Sequence, residues 1–144
     1  MGVTVAIHIP ASLETVWEAV ADLASHVEWM ADARRIDFQT TQRAGVGTRM
    51  KVLTRIGPFT ATDVIEVTGW DPLRRIAVRH EGLFTGEGEF RLDAVAGGVL
   101  FTWSEQLTFP SSLGGRVGAW MAKPVLQWLW RRNLNRLRQR LTLV

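Results

Sequence analysis

The sequence predicts an α+β fold in which a curved antiparallel sheet of six or seven strands is covered by a helix at the end of the chain. Three observations predict it. Between Gly45 and Thr108, apolar and polar residues alternate in five short runs, each closed by a turn signal. A helical pattern precedes that block, and a longer helical pattern ends the chain. A period of two makes one face of a sheet apolar, and only the terminal segment is long enough to cover it. A curved sheet closed by one helix leaves room beneath it, so a small-molecule pocket is expected.

Each element has its own signal. Val3, Val5, Ile7 and Ile9 alternate as a strand ended by Pro10. Ser12 suits a helix cap, with Glu14 in the first turn and Val16, Trp17, Val20 and Leu23 as the apolar stripe. A break follows at Asp22, then a short helix over His26 to Met30, then a strand over Ile36 to Thr40. Gly45-Val-Gly47 turns into a strand over Thr48 to Ile56, and Gly57-Pro58 leads into Phe59 to Trp70. Strands over Arg74 to Glu81, Leu83 to Asp93 and Val99 to Thr108 follow, with Asp71-Pro72, Gly82 and Gly97-Gly98 at the joints. Consecutive hairpin-linked strands favour antiparallel pairing.

The terminal segment carries two stripes. Leu113, Val117, Trp120, Met121 and Pro124 share one side of a helical wheel. Leu126, Trp130, Leu134, Leu137, Leu141 and Val144 share another. The two are rotated by more than about 90°, so one straight helix cannot bury both. Pro124 lies between them, and proline suits a first helical turn better than an interior. The pattern therefore predicts a short helix over 112–122, a break or kink near Lys123-Pro124, and a long helix over 125–142. The first piece would be a flap beside the pocket.

The chain has 144 residues, enough for one domain with a real core, and its 47% apolar and 22% charged content is ordinary for a globular protein. There is no cysteine, which removes disulfides, thiolate catalysis and Cys-ligated zinc. No secretory signal pattern opens the sequence, and Ala6 stands where a myristoylation motif wants Ser or Thr. A cytoplasmic protein is expected. The net charge of +3 hides an asymmetry. Every acidic residue precedes position 106, whereas Arg116, Lys123, Arg131, Arg132, Arg136, Arg138 and Arg140 follow it. Such an end can attract anionic partners. The plainer reading is a solvated face that complements the helix dipole.

Ile7-His-Ile-Pro-Ala-Ser-Leu-Glu-Thr-Val-Trp17 resembles the strand-Pro-helix opening of the START-like superfamily, also called the Bet v 1-like or helix-grip fold. Asp22 with His26-Val-Glu-Trp29 is similar to that family's next segment, and Gly45-Val-Gly47, Asp71-Pro72 and Gly97-Gly98 fall at its hairpin turns. Within the superfamily the chain looks like the bacterial polyketide cyclase/dehydrase-type members. The resemblance spans nearly the whole chain. It implies a cavity for a polyketide-like or lipid-like molecule, but carries over no catalytic residue.

Alternation nominates the inward positions. Ile76, Val78 and His80 share a face, as do Phe90 and Leu92, and Phe101, Trp103, Glu105 and Leu107; Met50, Val52 and Ile56 join them. Ligand contacts are expected from Trp17, Met50, Val52, Ile65, Val67, Val78, Phe90, Phe101, Trp103, Trp120 and Met121. His80 and Glu105 are the candidate catalytic pair, because burial resists ionisation of both and tunes them toward neutral pH. A one-residue register slip would put both outside. Asp63 is in line with Ile65 and Val67 under the same condition. Three histidines without matched spacing give no metal site, and no cofactor motif occurs. Gly86-Glu-Gly88 sits within a strand and reads as a bend rather than a phosphate loop. Trp128 falls opposite the Leu126 stripe beside Arg131 and Arg132, a pattern that fits a membrane interface, the flap, or a second subunit in a homodimer.

Three functions fit. The first is binding of a hydrophobic small molecule, with an aromatase/cyclase version in which positioning supplies much of the rate. The second is a lipid or quinone carrier that docks on membranes through Trp128, Arg131 and Arg132. The third is a regulatory domain with a filled core. Nucleic-acid binding is disfavoured, since a basic helix alone lacks base-reading or stacking design.

Overall fold

The computed structural model describes residues 1–142. Strand β1 (Gly2–Ile9) leads to helix α1 (Leu13–Ala21) and a 3-10 turn (Leu23–Glu28). Six strands follow: β2 (Ala33–Phe38), β3 (Arg49–Ile56), β4 (Phe59–Asp71), β5 (Arg75–Glu81), β6 (Thr85–Val95) and β7 (Gly98–Thr108). A second 3-10 turn (Ser111–Leu113) precedes helix α2 (Gly115–Thr142). The architecture is the helix-grip fold. Ser12 caps α1 as its sequence suggests, the hydroxyl accepting from the Thr15 N–H at 3.1 Å. The second strand begins three residues earlier than the alternation implies, because an irregularity between Ala33 and Arg35 offsets its pairing with β3.

The seven strands form one sheet in the order β1-β7-β6-β5-β4-β3-β2. Each neighbouring pair is antiparallel. Hairpins carry the chain from β2 to β7, and β1 then pairs with the last strand, Gly2 opposite Gln106 and Ile9 opposite Val99. The two-residue period puts Val3, Val5, Ile9, Val99 and Phe101 on the concave face, where Val16 and Val20 of α1 and Leu134 and Leu137 of α2 meet them. All of these are at most 2% exposed, so this end of the fold is packed solid.

The terminal segment differs from expectation. It is one helix, with Pro124 inside it and no break at Lys123. The two-stripe premise is sound, but only one stripe is buried. Ala119 and Ala122 extend the Leu126, Trp130, Leu134, Leu137 face toward the N-terminus, completing a single inward row. Small alanines supply that continuity without standing out in the sequence. Of the other stripe, Leu113 is half-buried beside the cavity, whereas Val117, Trp120 and Met121 stay in solvent, joined there by Val125 and Trp128, each at least half exposed. Pro124 is exposed too, so the carbonyl that its missing N–H leaves free can be hydrated. Val144, counted in the buried stripe, lies outside the described residues.

Candidate functional site

Between the middle of the sheet and the first half of α2 lies a cavity of about 440 Å³, within the usual range for small-molecule sites. The sheet contributes Met50, Val52, Ile65, Val78, Phe90 and Trp103, all nominated by alternation. Other nominated residues lie elsewhere. Val67 and Phe101 point inward but are buried in the solid end of the core, beyond the cavity. Trp17 packs edge-on against Trp70, with ring centroids 5.4 Å apart, because α1 covers the sheet beyond the cavity and contributes no residue to its lining. Trp120 and Met121 are 76% and 66% exposed, since the helix that carries them does not fold back as a flap.

The pleat brings His80 and Glu105 onto the same wall. Their contact is direct: His80 Nε2 stands 2.7 Å from Glu105 Oε2. The two residues come from β5 and β7, which are not neighbours but flank β6. Register puts His80 opposite Gly86 and Glu105 opposite Gly88. A Cβ at Gly88 would collide with the Glu105 carboxyl group. Gly88 thus opens a gap in β6 through which the side chains meet, while Gly86, at φ 140°, lies against the β7 backbone, where a Cβ would strike the Gln106 carbonyl. The other carboxylate oxygen accepts the Trp103 indole N–H at 3.0 Å. Trp103 in turn stacks on Trp130 of α2, with centroids 4.6 Å apart and planes 15° from parallel. The helix therefore braces the pair through two tryptophans.

Burial is the largest influence on His80 and would lower its pKa, but the hydrogen bond and charge of Glu105, with Asp63 beyond, outweigh it and leave the pKa above 6.5. The protonated ring is thus favoured relative to a free imidazole, against the direction expected from burial alone. Asp63 lines the cavity, accepts the Leu83 N–H at 2.8 Å, and has its pKa raised by burial.

Two further polar residues of the lining were not nominated by the sequence. His26 is wholly buried, its pKa brought down to about 4 by desolvation, and its ring N–H donates to the Val20 carbonyl at 2.7 Å. Asp32 has its pKa raised by burial and accepts from the Asn133 amide at 2.6 Å, while the Asn133 carbonyl oxygen accepts the Ala31 N–H at 3.0 Å. Both residues sit in irregular segments where no periodicity exists to mark them. The signal available in the sequence was Asn133, a polar residue set between Trp130 and Leu134 of the apolar row, and the structure buries it completely. The lining holds three carboxylates and two imidazoles, and no lysine or arginine among the described residues.

The family profile described as polyketide cyclase / dehydrase and lipid transport matches residues 1–142. The chain belongs to that family. Members of the same fold are evident among solved structures. The protein TTHA0849 from Thermus thermophilus superposes with a TM-score of 0.78 at 21% identity, covering 98% of this chain and 97% of that one. The Zhui aromatase/cyclase from Streptomyces sp. R1128 superposes with a TM-score of 0.72 at 16% identity, covering 98% and 93%. Ara h 8.0201 gives 0.68 at 12% identity, covering 98% and 97%. At these identities the likeness shows the fold alone. Comparison with curated proteins gives no match. Among the described residues, no helix is long and apolar enough to cross a membrane.

Proposed function

We propose that the chain binds a neutral, ring-bearing hydrophobic molecule of polyketide-like character, and that His80 serves an oxygen atom of that guest. The observation that carries this reading is the buried His80–Glu105 pair set in an otherwise apolar cavity wall. Apolar walls supply affinity at roughly 25 cal/mol per Å² removed from water, and aromatic rings suit planar guests. Charge selects among such guests. Asp32, Asp63 and Glu105 face the interior with no lysine or arginine beside them, so a carboxylate guest meets repulsion that a phenol or ketone does not. Glu105 occupies His80 Nε2, which leaves Nδ1 as the ring nitrogen available to a guest hydroxyl or carbonyl.

The same wall supports an aldol-type ring closure. In that step the enolising carbon of a poly-ketone guest gives its proton to the Asp63 carboxylate, and the resulting enolate carbon attacks a second carbonyl of the same guest. A carbon–carbon bond forms as the carbonyl π bond opens, and the oxygen takes the proton of His80. Holding a flexible chain in the reactive fold supplies much of the acceleration.

The binding part is tested by titrating the protein with 2-naphthol and with 2-naphthoate, following tryptophan fluorescence. The neutral probe should bind at least roughly tenfold tighter than the anion, and Val78→Trp, which fills the cavity, should abolish both. Equal or tighter binding of naphthoate, or full binding by Val78→Trp, would overturn the reading. The catalytic part is tested with His80→Phe, which should weaken 2-naphthol binding by roughly tenfold at most, the loss of one hydrogen bond, and abolish turnover of a poly-ketone thioester analogue.

A further inference from the structure

The outer face of α2 is left without a partner by the fold, and its two halves differ in kind. At roughly 100° per residue, Val117, Trp120, Met121, Pro124, Val125 and Trp128 fall on the side opposite the buried row. All six are exposed, Trp120 at 76% and Trp128 at 57%. Continuing along the same side, the helix presents Arg131, Arg132 and Arg138, likewise exposed. The Arg132 guanidinium lies 4.8 Å over the Trp128 ring, at the seam between the two halves. No acidic residue follows Glu105 in the sequence.

We propose that this face docks on the surface of an anionic lipid bilayer, with the tryptophans seated among the headgroups and the arginines against lipid phosphates and carboxylates. Three features favour that occupant. Large aromatic and sulfur-bearing side chains beside cations are the composition of helices that lie in a membrane interface, and indole rings prefer that depth. A second copy of the chain is a poor partner, because a twofold contact through this patch would bring like cationic surfaces together with no acid on the patch to neutralise them. The patch also adjoins the cavity: Val125 is half exposed and at the same time belongs to the cavity lining, with Ala122 and Leu113 beside it. A docked molecule would present this side of its cavity to the bilayer, where a hydrophobic guest resides.

Co-sedimentation of the full chain with vesicles of phosphatidylcholine and phosphatidylserine in equal parts tests the proposal, with pure phosphatidylcholine vesicles as comparison. The wild type should bind the mixed vesicles, bind the neutral ones far less, and be released as sodium chloride is raised. Arg131→Gln with Arg132→Gln should weaken binding roughly thirtyfold, and Trp120→Ala with Trp128→Ala should abolish it. All four positions are exposed, so melting temperature and 2-naphthol binding should stay at wild-type values, which separates this proposal from the cavity reading. The proposal fails if the wild type ignores the mixed vesicles, or if either double variant binds them as the wild type does. It fails equally if sedimentation velocity shows a dimer that Trp120→Ala with Trp128→Ala dissociates, since the face would then be a protein interface.

Discussion

Replacing Glu105 with Gln removes the charge that opposes burial at His80 while keeping nearly the same shape. The Nε2···Oε2 separation is 2.7 Å. One unit charge at that distance contributes about 1.5 kcal/mol at the dielectric constant of water and about 6 kcal/mol at an effective constant near 20. Desolvation, the largest single influence on His80, then faces only the more distant Asp63. The His80 pKa should therefore fall from above 6.5 in the wild type to below it in Glu105→Gln. Proton NMR of the ring Cε1–H signals reads this directly, because the chain has only three histidines. His8 is exposed and His26 titrates near 4, so His80 is recognisable by its move between the two proteins. The sign extends to stability. A raised histidine pKa contributes stability that is full below 6.5 and fades as pH climbs through the folded value, so the variant should lose most relative to wild type in acid and least in alkali. A His80 titration unchanged by the substitution, or moved upward, would refute the ion-pair account.

Three other expectations follow from the same geometry. Gly88→Ala should displace the Glu105 carboxyl group and cost about 1–3 kcal/mol through overpacking, seen as a lowered melting temperature together with a lowered His80 pKa. Asn133→Ala leaves the Ala31 N–H and the Asp32 carboxyl group without their partner, for about 1–3 kcal/mol of stability in urea denaturation. That hydrogen bond favours ionised Asp32, so the deficit should widen as pH rises through the carboxyl titration. His26 must stay neutral in the folded chain, so stability present above 6.5 should be lost as pH falls toward 4. The loss amounts to about 3 kcal/mol, and His26→Gln should remove that part of the pH dependence.

The wall of the cavity was legible and its contents were only partly so. Alternation placed Met50, Val52, Ile65, Val78, Phe90 and Trp103 because a pleated strand has only two faces. The same rule put His80 and Glu105 on one face, yet not in contact, since their meeting depends on the void that Gly88 leaves in the strand between. Depth along a strand was illegible as well: Val67 and Phe101 face the same way as Ile65 and Trp103 but lie where the interior is filled. His26 and Asp32 belong to a 3-10 turn and a loop, where identity without period says little. In α2, attention to large residues made a continuous helix look broken, because Ala119 and Ala122 complete its inner row with almost no side chain.

The seam between β1 and β7 sets the order in which the molecule can assemble. Gly2 faces Gln106, so β1 must wait for β7, about a hundred residues later in the chain, before it can pair. At roughly 5–20 residues per second that delay is about five to twenty seconds, during which an apolar strand stays unpaired. Contacts so distant along the chain also slow refolding from denaturant toward the millisecond-to-second range. Nascent chains are thus exposed to edge-to-edge association until the β6–β7 hairpin emerges and β1 gains its partner.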